Sequence, residues 1–387
     1  MSDSTSVAPR PRVARQRLER AWSLLALPTG VIVLSFLVGA VVILASSILV
    51  TGTLDFGLPV RAYAGLIGGA LGSWNGIVEM VVSAAPLVLG GLAVGIGFKA
   101  GLFNIGVQGQ YLMGAMAAAA VGGAVATQPA VVAIPVALVA GAIVGAAWGF
   151  VPGFLKARTG AHEVVTTIML NYVALLTVSY LAFGPLRQPG ATFGRTADVG
   201  NAALPVFIGR DGHLGILLAA VAVPLSVWFL YRAVIGFEIR AVGANPDAAR
   251  YGGMRPRLLI TLTMTLCGML GGLAGSLDIL GITHYIVAGY ATSVGFDSIT
   301  VALLGRSHPI GILFAALLLG GMRAGAPQMQ VQAGIPVEIV SVLQAIILFF
   351  LVANILVRRL LRIHAARPTG VEELQTFTRT YGEGGVR

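Results

Sequence analysis

The chain has 387 residues, 57% of them hydrophobic and only 10% charged, with a mean hydropathy of +0.89. A water-soluble domain carries about 25% charged residues, so that class is excluded. The net charge of +10 does not read as a nucleic-acid footprint, because the basic residues are scattered at the ends of apolar runs. Cys267 stands alone, which excludes an internal disulfide and argues against a cysteine-based metal site.

Residues 1–23 are a basic tail. The apolar run that follows is long and has no small-residue cleavage site, so it reads as a first span rather than a signal peptide. Apolar runs of about 20 residues recur along the chain and predict an all-α polytopic membrane protein of about ten spans. They lie near 24–50, 77–98, 101–126, 129–155, 164–184, 214–235, 258–281, 290–305, 310–329 and 337–357. The transmembrane domain is therefore 24–357, and 358–387 is a polar C-tail. Segment 290–305 is short and follows the glycine-broken "IVAGYATSVG", so a full span and a re-entrant half-helix both fit it.

With both termini on one side, twenty of the 25 Lys and Arg residues fall on that side. They include Arg10, Lys99, Lys156, Arg240, Arg250, Arg306 and Arg358. Five (Arg61, Arg187, Arg195, Arg210 and Arg323) fall on or near the other side. Basic residues mark the cytoplasmic face, so both termini are expected in the cytoplasm. The opposite face has two longer loops, 51–76 and 185–213; the second is rich in Pro, Gly, Asp and Asn and reads as ordered.

No catalytic motif appears. Neither lysine is followed by Ser or Thr, so the chain has no phosphate-cradling loop of the ATPase kind. "HEVVT" at 162–166 lacks the second histidine of a zinc-protease helix. The glycines of "GMLGGLAG", such as Gly268 and Gly272, fit small-residue packing between spans. No enzyme, resident metal or cofactor is expected.

Polar residues inside the spans are then the informative ones. Asn104, Gln108 and Gln110 come early in the third span, with 104 and 108 spaced to share a face. Asn171 falls midway in the fifth. Amides are costly in lipid, so each is either interhelical glue or a neutral lining for a hydroxylated substrate. Glu163 suits the N-terminal end of a helix dipole. Asp278 and Asp297 are intramembrane carboxylates, functional by default, although Asp297 also fits a helix cap. Arg323 is placed to snorkel or to pair with one of these acids.

The inner segment 236–257 contains "GANPDAARYGGM", a short polar helix between long apolar runs. Asn245 suits the N-cap, Pro246 the first helical position and Asp247 the positive helix end. Gly252 suits a left-handed C-cap. Gly243 precedes the helix, and Ala248 and Ala249 allow close approach of a partner.

"GFEIRAVGANPDAARYGGM", residues 236–254, resembles the coupling segment of ABC-importer permeases in the branch for simple sugars, nucleosides and branched-chain amino acids. "GLFNIGVQGQYLMGA" (101–115), "GAHEVVTTIMLNYVA" (160–174) and "GFDSITVALLGRSHPIGI" (295–312) resemble the nucleoside-type permeases. The chain departs from that pattern at Gln108, where the family commonly has Glu, and at His162, where it commonly has Asn. The resemblance implies a permease subunit with nucleosides as the expected substrate, and simple sugars or branched-chain amino acids as alternatives within the class. It also implies a separate cytoplasmic ATPase carrying ATP and Mg, a related second permease, and an external substrate-binding lipoprotein in a bacterial plasma membrane. The rival outside the class is a stand-alone secondary transporter using Asp278 or Asp297.

Overall fold

The computed structural model describes residues 29–48, 54–290 and 292–353. The basic N-tail (1–23) and the C-tail (358–387) lie outside these residues. The described part divides into a larger unit from Asp55 to Val340 and a smaller one of residues 29–48, 54 and 341–353.

In the larger unit the chain is almost entirely helical. In order come α2 (Leu58–Leu71), α3 (Trp74–Lys99), α4 (Val107–Ala124), α5 (Ala130–Thr159) and α6 (Glu163–Phe183). A short hairpin of β1 (Val206–Ile208) and β2 (Gly212–His213) follows, paired antiparallel. Then come α7 (Gly215–Arg232), α8 (Val234–Ala244), α9 (Pro246–Tyr251), α10 (Pro256–Asp278), a π-turn (Ile279–Thr283), α11 (Val294–Leu304) and α12 (Pro309–Ala333). The smaller unit holds α1 (Thr29–Ile48) and most of α13 (Glu338–Val352).

Among the described residues seven helices are long and apolar enough to cross a membrane: α1, α3, α5, α6, α7, α10 with its π-turn, and α12. This is an all-α polytopic membrane protein. The other three expected spans are shorter or more polar: α4 has 18 residues, α11 has 11 and α13 has 15. Loop 51–76 is not simply a loop, since α2 occupies fourteen of its residues. At 14 residues α2 is too short to register as a span in the sequence, although it carries the "GLIGGA" glycines. Gly65 and Gly69 lie against α12, so close that a Cβ at either would come 2.9 Å from the Cα of Met329 or Gly325.

The centre of the larger unit is a seam between α5 and α10. Gly141, Gly145 and Gly149 repeat at four-residue intervals and face Ser276, Gly272 and Gly268. A Cβ at Gly145 would sit 2.6 Å from the Gly272 Cα, and one at Gly149 would sit 2.8 Å from the Gly268 Cα. Apolar side chains gain nothing from leaving lipid for a protein interior of equal polarity, so backbone-to-backbone packing is what holds such helices together.

One end of the unit gathers the basic inner segments. Lys156 at the end of α5 pairs with Glu163 at the start of α6. Gly243 at the end of α8 packs on Lys99 and Ala100 at the end of α3. At the other end, the 194–204 stretch of the long loop runs alongside residues 280–288. Leu204 donates its backbone N–H to Leu280 (2.7 Å), Val199 to His284 (3.0 Å) and Thr196 to Ile286 (3.0 Å). The loop 185–213 is ordered by these bonds.

Candidate functional site

Two short helices, α4 and α11, begin inside the bundle. The first turn of any helix has N–H groups without intrahelical partners, and no water reaches them in a membrane interior. Side chains from neighbouring segments supply the acceptors. Asn171 of α6 accepts from Gly109 N in the first turn of α4 at 2.8 Å and donates to the Ile105 carbonyl at 3.0 Å. Gln108 of α4 does the same for α11: its Oε1 accepts from Gly295 N at 2.9 Å and its Nε2 donates to the Thr292 carbonyl at 2.8 Å. Asn104 accepts from Gly106 N at 3.0 Å, and exchanges amide hydrogen bonds with Gln110 at 3.2 and 3.3 Å.

This arrangement corrects one expectation. Asn104 and Gln108 do not share a helix face, because α4 starts only at Val107. Asn104 precedes it in a turn and pairs with Gln110, while Gln108 points to the start of α11. The i to i+4 rule applies only where the backbone is already helical. All four amides are buried and hydrogen-bonded within the chain.

The acids differ in their partners. Asp297 of α11 forms an ion pair with Arg323 of α12, and both contact Ser293 Oγ, at 2.9 Å from Asp297 and 3.0 Å from Arg323. Arg323 therefore pairs rather than snorkels. Neighbouring Ser298 is fully buried and donates to the Val294 carbonyl at 2.7 Å. Asp278, at the end of α10, instead accepts hydrogen bonds from the hydroxyls of Tyr111 and Tyr290. Neither phenol stands out in the amino-acid sequence. Tyr111, 167 residues away, is brought in by the packing of α4 against α10, and Tyr290, 12 residues away, by the segment that follows the π-turn.

The π-turn and His284 follow Asp278. His284 adopts a left-handed conformation (φ 62°), which is uncommon for a residue with a side chain. His213 of β2 packs its ring on Gly281 of the π-turn. Burial pushes the His213 imidazole below its ordinary value; Asp278 opposes the shift and His284 adds to it. Among the described residues no group of His, Cys, Asp or Glu gathers as a metal site, and Cys267 is a buried free thiol.

At the opposite end stands α9. Asn245 caps it, accepting from Asp247 N and Ala248 N at 3.0 Å each, and Pro246 takes the first position. The left-handed residue is Gly253 (φ 84°), not Gly252 (φ −73°): the helix runs on through Tyr251 and turns one residue later than expected. The two alanines also differ. Ala248 is exposed, but Ala249 is only 4% exposed and anchors the helix in a cluster with Leu102, Ile239, Val242 and Leu259. A buried alanine and an exposed one are indistinguishable in a six-residue stretch read without its neighbours.

Tyr251 projects from α9 almost fully exposed, at 96%. Behind it, α8 is tied to the bundle by Arg240, which donates to the Leu230 carbonyl at 2.9 Å and lies over the Tyr231 ring. Tyr231 in turn stacks on His308, whose side chain caps α12 by accepting from Ile310 N at 3.3 Å. None of these contacts was foreseen from sequence.

Residues 76–352 match the family described as "branched-chain amino acid transport system / permease component". The guanosine ABC transporter permease protein NupP of Bacillus subtilis is 38% identical over 86% of this chain and 94% of its own length. The nucleoside ABC transporter permease protein NupB of Lactococcus lactis is 35% identical over 86% and 92%. The glucose ABC transporter permease protein TsgB13 of Haloferax volcanii is 33% identical over 88% and 90%. A second permease protein from each of these organisms also matches, at 22–28% identity. No solved structure matches.

Proposed function

The chain belongs to the branched-chain amino acid transport system / permease component family, and from that premise we propose that it carries nucleosides inward across a bacterial plasma membrane as one permease subunit of an ABC importer. The observation that carries the substrate class is the 38% identity to a guanosine permease over nearly the whole of both chains. A glucose permease is slightly less similar, so a sugar ring is common to both substrate classes.

In this reading the chain forms half of the translocation path, in about ten spans with both termini cytoplasmic. The end that gathers Lys99, Lys156, Arg240 and Arg250 then faces the cytoplasm. Segment 236–257 receives a separate ATPase there, and that ATPase carries ATP and Mg. Gly243, Asn245, Pro246, Asp247, Ala248 and Gly252 shape the docking knob, with Ala249 seating it from below. The knob suits the task because it is capped, exposed on one side and packed on the other; a frayed segment would absorb the push instead of passing it on.

The second subunit is a related permease rather than a copy, by analogy with the paired, unequal permeases of the three organisms above. An external lipoprotein delivers substrate to the face with the 185–213 loop. Asn104, Gln108 and Asn171 hold the starts of α4 and α11, and through them the walls of the path. Asp297, tied to Arg323, lacks the free carboxylate that a stand-alone ion-driven transporter would use.

The test is reconstitution of this chain with its ATPase, second permease and lipoprotein in liposomes. ATP-dependent uptake of a labelled nucleoside is expected, with no turnover of ATP by this chain alone. Uptake of glucose but no nucleoside would reassign the substrate. Labelling of tags at residues 5 and 380 from outside intact cells would break the orientation.

A further inference from the structure

The amides placed to line a path are each engaged at both the oxygen and the nitrogen. Asn104, Gln108, Gln110 and Asn171 are occupied with one another and with backbone. Glu163 has Lys156, and Asp297 has Arg323. Asp278 is different. Among the described residues it has no ion-pair partner, and both of its phenol donors converge on the same oxygen, Oδ2. It is half-buried, at the far end of α10 from α9 and about 33 Å along that helix.

The segments beside Asp278 also hold buried polar atoms without partners. The Nδ1 of His213 accepts from Gly215 N at 3.2 Å, which leaves the proton of a neutral ring on Nε2. That Nε2 is buried and has no partner, although the residue itself is wholly enclosed. His284 Nδ1 is likewise buried and unmet. His213 packs its ring on Gly281, in the π-turn that directly continues α10 past Asp278. Buried polar groups in folded proteins are nearly always satisfied, so a local excess of unmet ones calls for a further polar group.

The two phenols are not equivalent. Tyr111 is fully buried on α4 and fixed. Tyr290 is half-buried in the segment between the π-turn and α11, and its hydroxyl lies 3.5 Å from that of Tyr111. A ligand hydroxyl can therefore take the place of Tyr290 on the carboxylate while Tyr290 turns to donate to, or accept from, the ligand.

We propose that Asp278, Tyr111, Tyr290 and His213 form a hydroxyl-recognition site that receives the vicinal hydroxyls of the ribose during passage. This rests on the nucleoside reading above. A cis-diol offers two adjacent O–H donors, which match the two oxygens of one carboxylate, and two oxygens able to accept from a phenol and from His213 Nε2–H. Hydrogen bonds to a charged acceptor are the stronger kind, and the phenols keep the carboxylate solvated when no substrate is present.

The experiment uses the complete importer in liposomes, with the lipoprotein saturated by guanosine or by 2′,3′-dideoxyguanosine so that capture does not limit the rate. The unaltered importer should carry the ribonucleoside faster. Asp278→Asn and Tyr290→Phe should each slow it about tenfold and bring the ribo/dideoxy rate ratio close to one, as for a lost hydrogen bond to a charged group. Transport of the dideoxy compound, membrane abundance and ATPase association should be unchanged. An unaltered ratio in both variants, or equal slowing of both compounds, would overturn the site. Absence of all nucleoside transport by the unaltered importer would overturn the substrate reading, and with it the ligand assigned to this site.

Discussion

The two ends of the larger unit use polar residues in opposite ways. At the α9 end they close structure: Asn245 caps α9, His308 caps α12, and Arg240 ties α8 to Tyr231. At the Asp278 end, polar groups are brought together and left partly unmet, as at His213 Nε2 and His284 Nδ1. Stiffness is what a surface needs to receive a push. Spare hydrogen-bonding capacity is what a surface needs to recognise a passing solute. Between them runs the α5–α10 glycine seam, where two helices that reach toward both ends pack backbone to backbone.

The comparison breaks most completely if the seam is opened. Gly272→Leu would drive a side chain into the α5 backbone, where even a Cβ comes within 2.9 Å of the Gly145 Cα. The expected cost is above about 3 kcal/mol, since overpacking of backbone contacts cannot relax. Membrane abundance and thermal stability in detergent should both collapse; a stable, abundant variant would show that the two ends are held together some other way.

Next in size is the contrast within α9. Ala249→Glu places a charge in the cluster of Leu102, Ile239 and Leu259 and should cost about 3 kcal/mol. Ala248→Glu, on the exposed side, should cost no more than about 0.5 kcal/mol yet abolish ATPase co-purification and uptake. Equal stability of the two variants would remove the distinction between seat and knob.

Gln108→Leu leaves Gly295 N and Thr292 O without partners at the start of α11. The expected loss is about 1–3 kcal/mol, with uptake falling alongside thermal stability. Loss of uptake at full stability would instead make Gln108 a substrate contact. The smallest effect is expected of Asn245→Ala, about 1 kcal/mol for a lost cap. It should lower uptake less than Ala248→Glu does, because the helix frays at its first turn but keeps its seat. A loss as large as that of Ala248→Glu would mean that the cap itself meets the ATPase.

Much of this was legible in the sequence, for identifiable reasons. Long apolar runs announce spans whatever surrounds them: the six long helices of the larger unit, from α3 to α12, fall where hydropathy put them, and so does α1 in the smaller unit. The α9 cap was readable because Asn, Pro and Asp at consecutive positions act on their own backbone within three residues. Gly268 and Gly272 announced close packing, though not that α5 is the partner. The left-handed glycine is Gly253 and not the expected Gly252, because the two are locally equivalent and only the path into α10 chooses between them.

The class of protein, the position of most helices and the local chemistry of the α9 segment can be read from the residues alone, because each depends on interactions over a few positions. Tertiary structure alone decided which polar groups are occupied and which are open. Asn171 and Gln108 become caps of other helices, Asp297 finds its cation on α12, and Asp278 finds only phenols. The physical reason is that hydrogen-bond partners 60–190 residues apart, such as Asn171 with Gly109 and Gln108 with Gly295, meet only when the helices pack. In a medium without water, that meeting settles whether a polar side chain is scaffold or site.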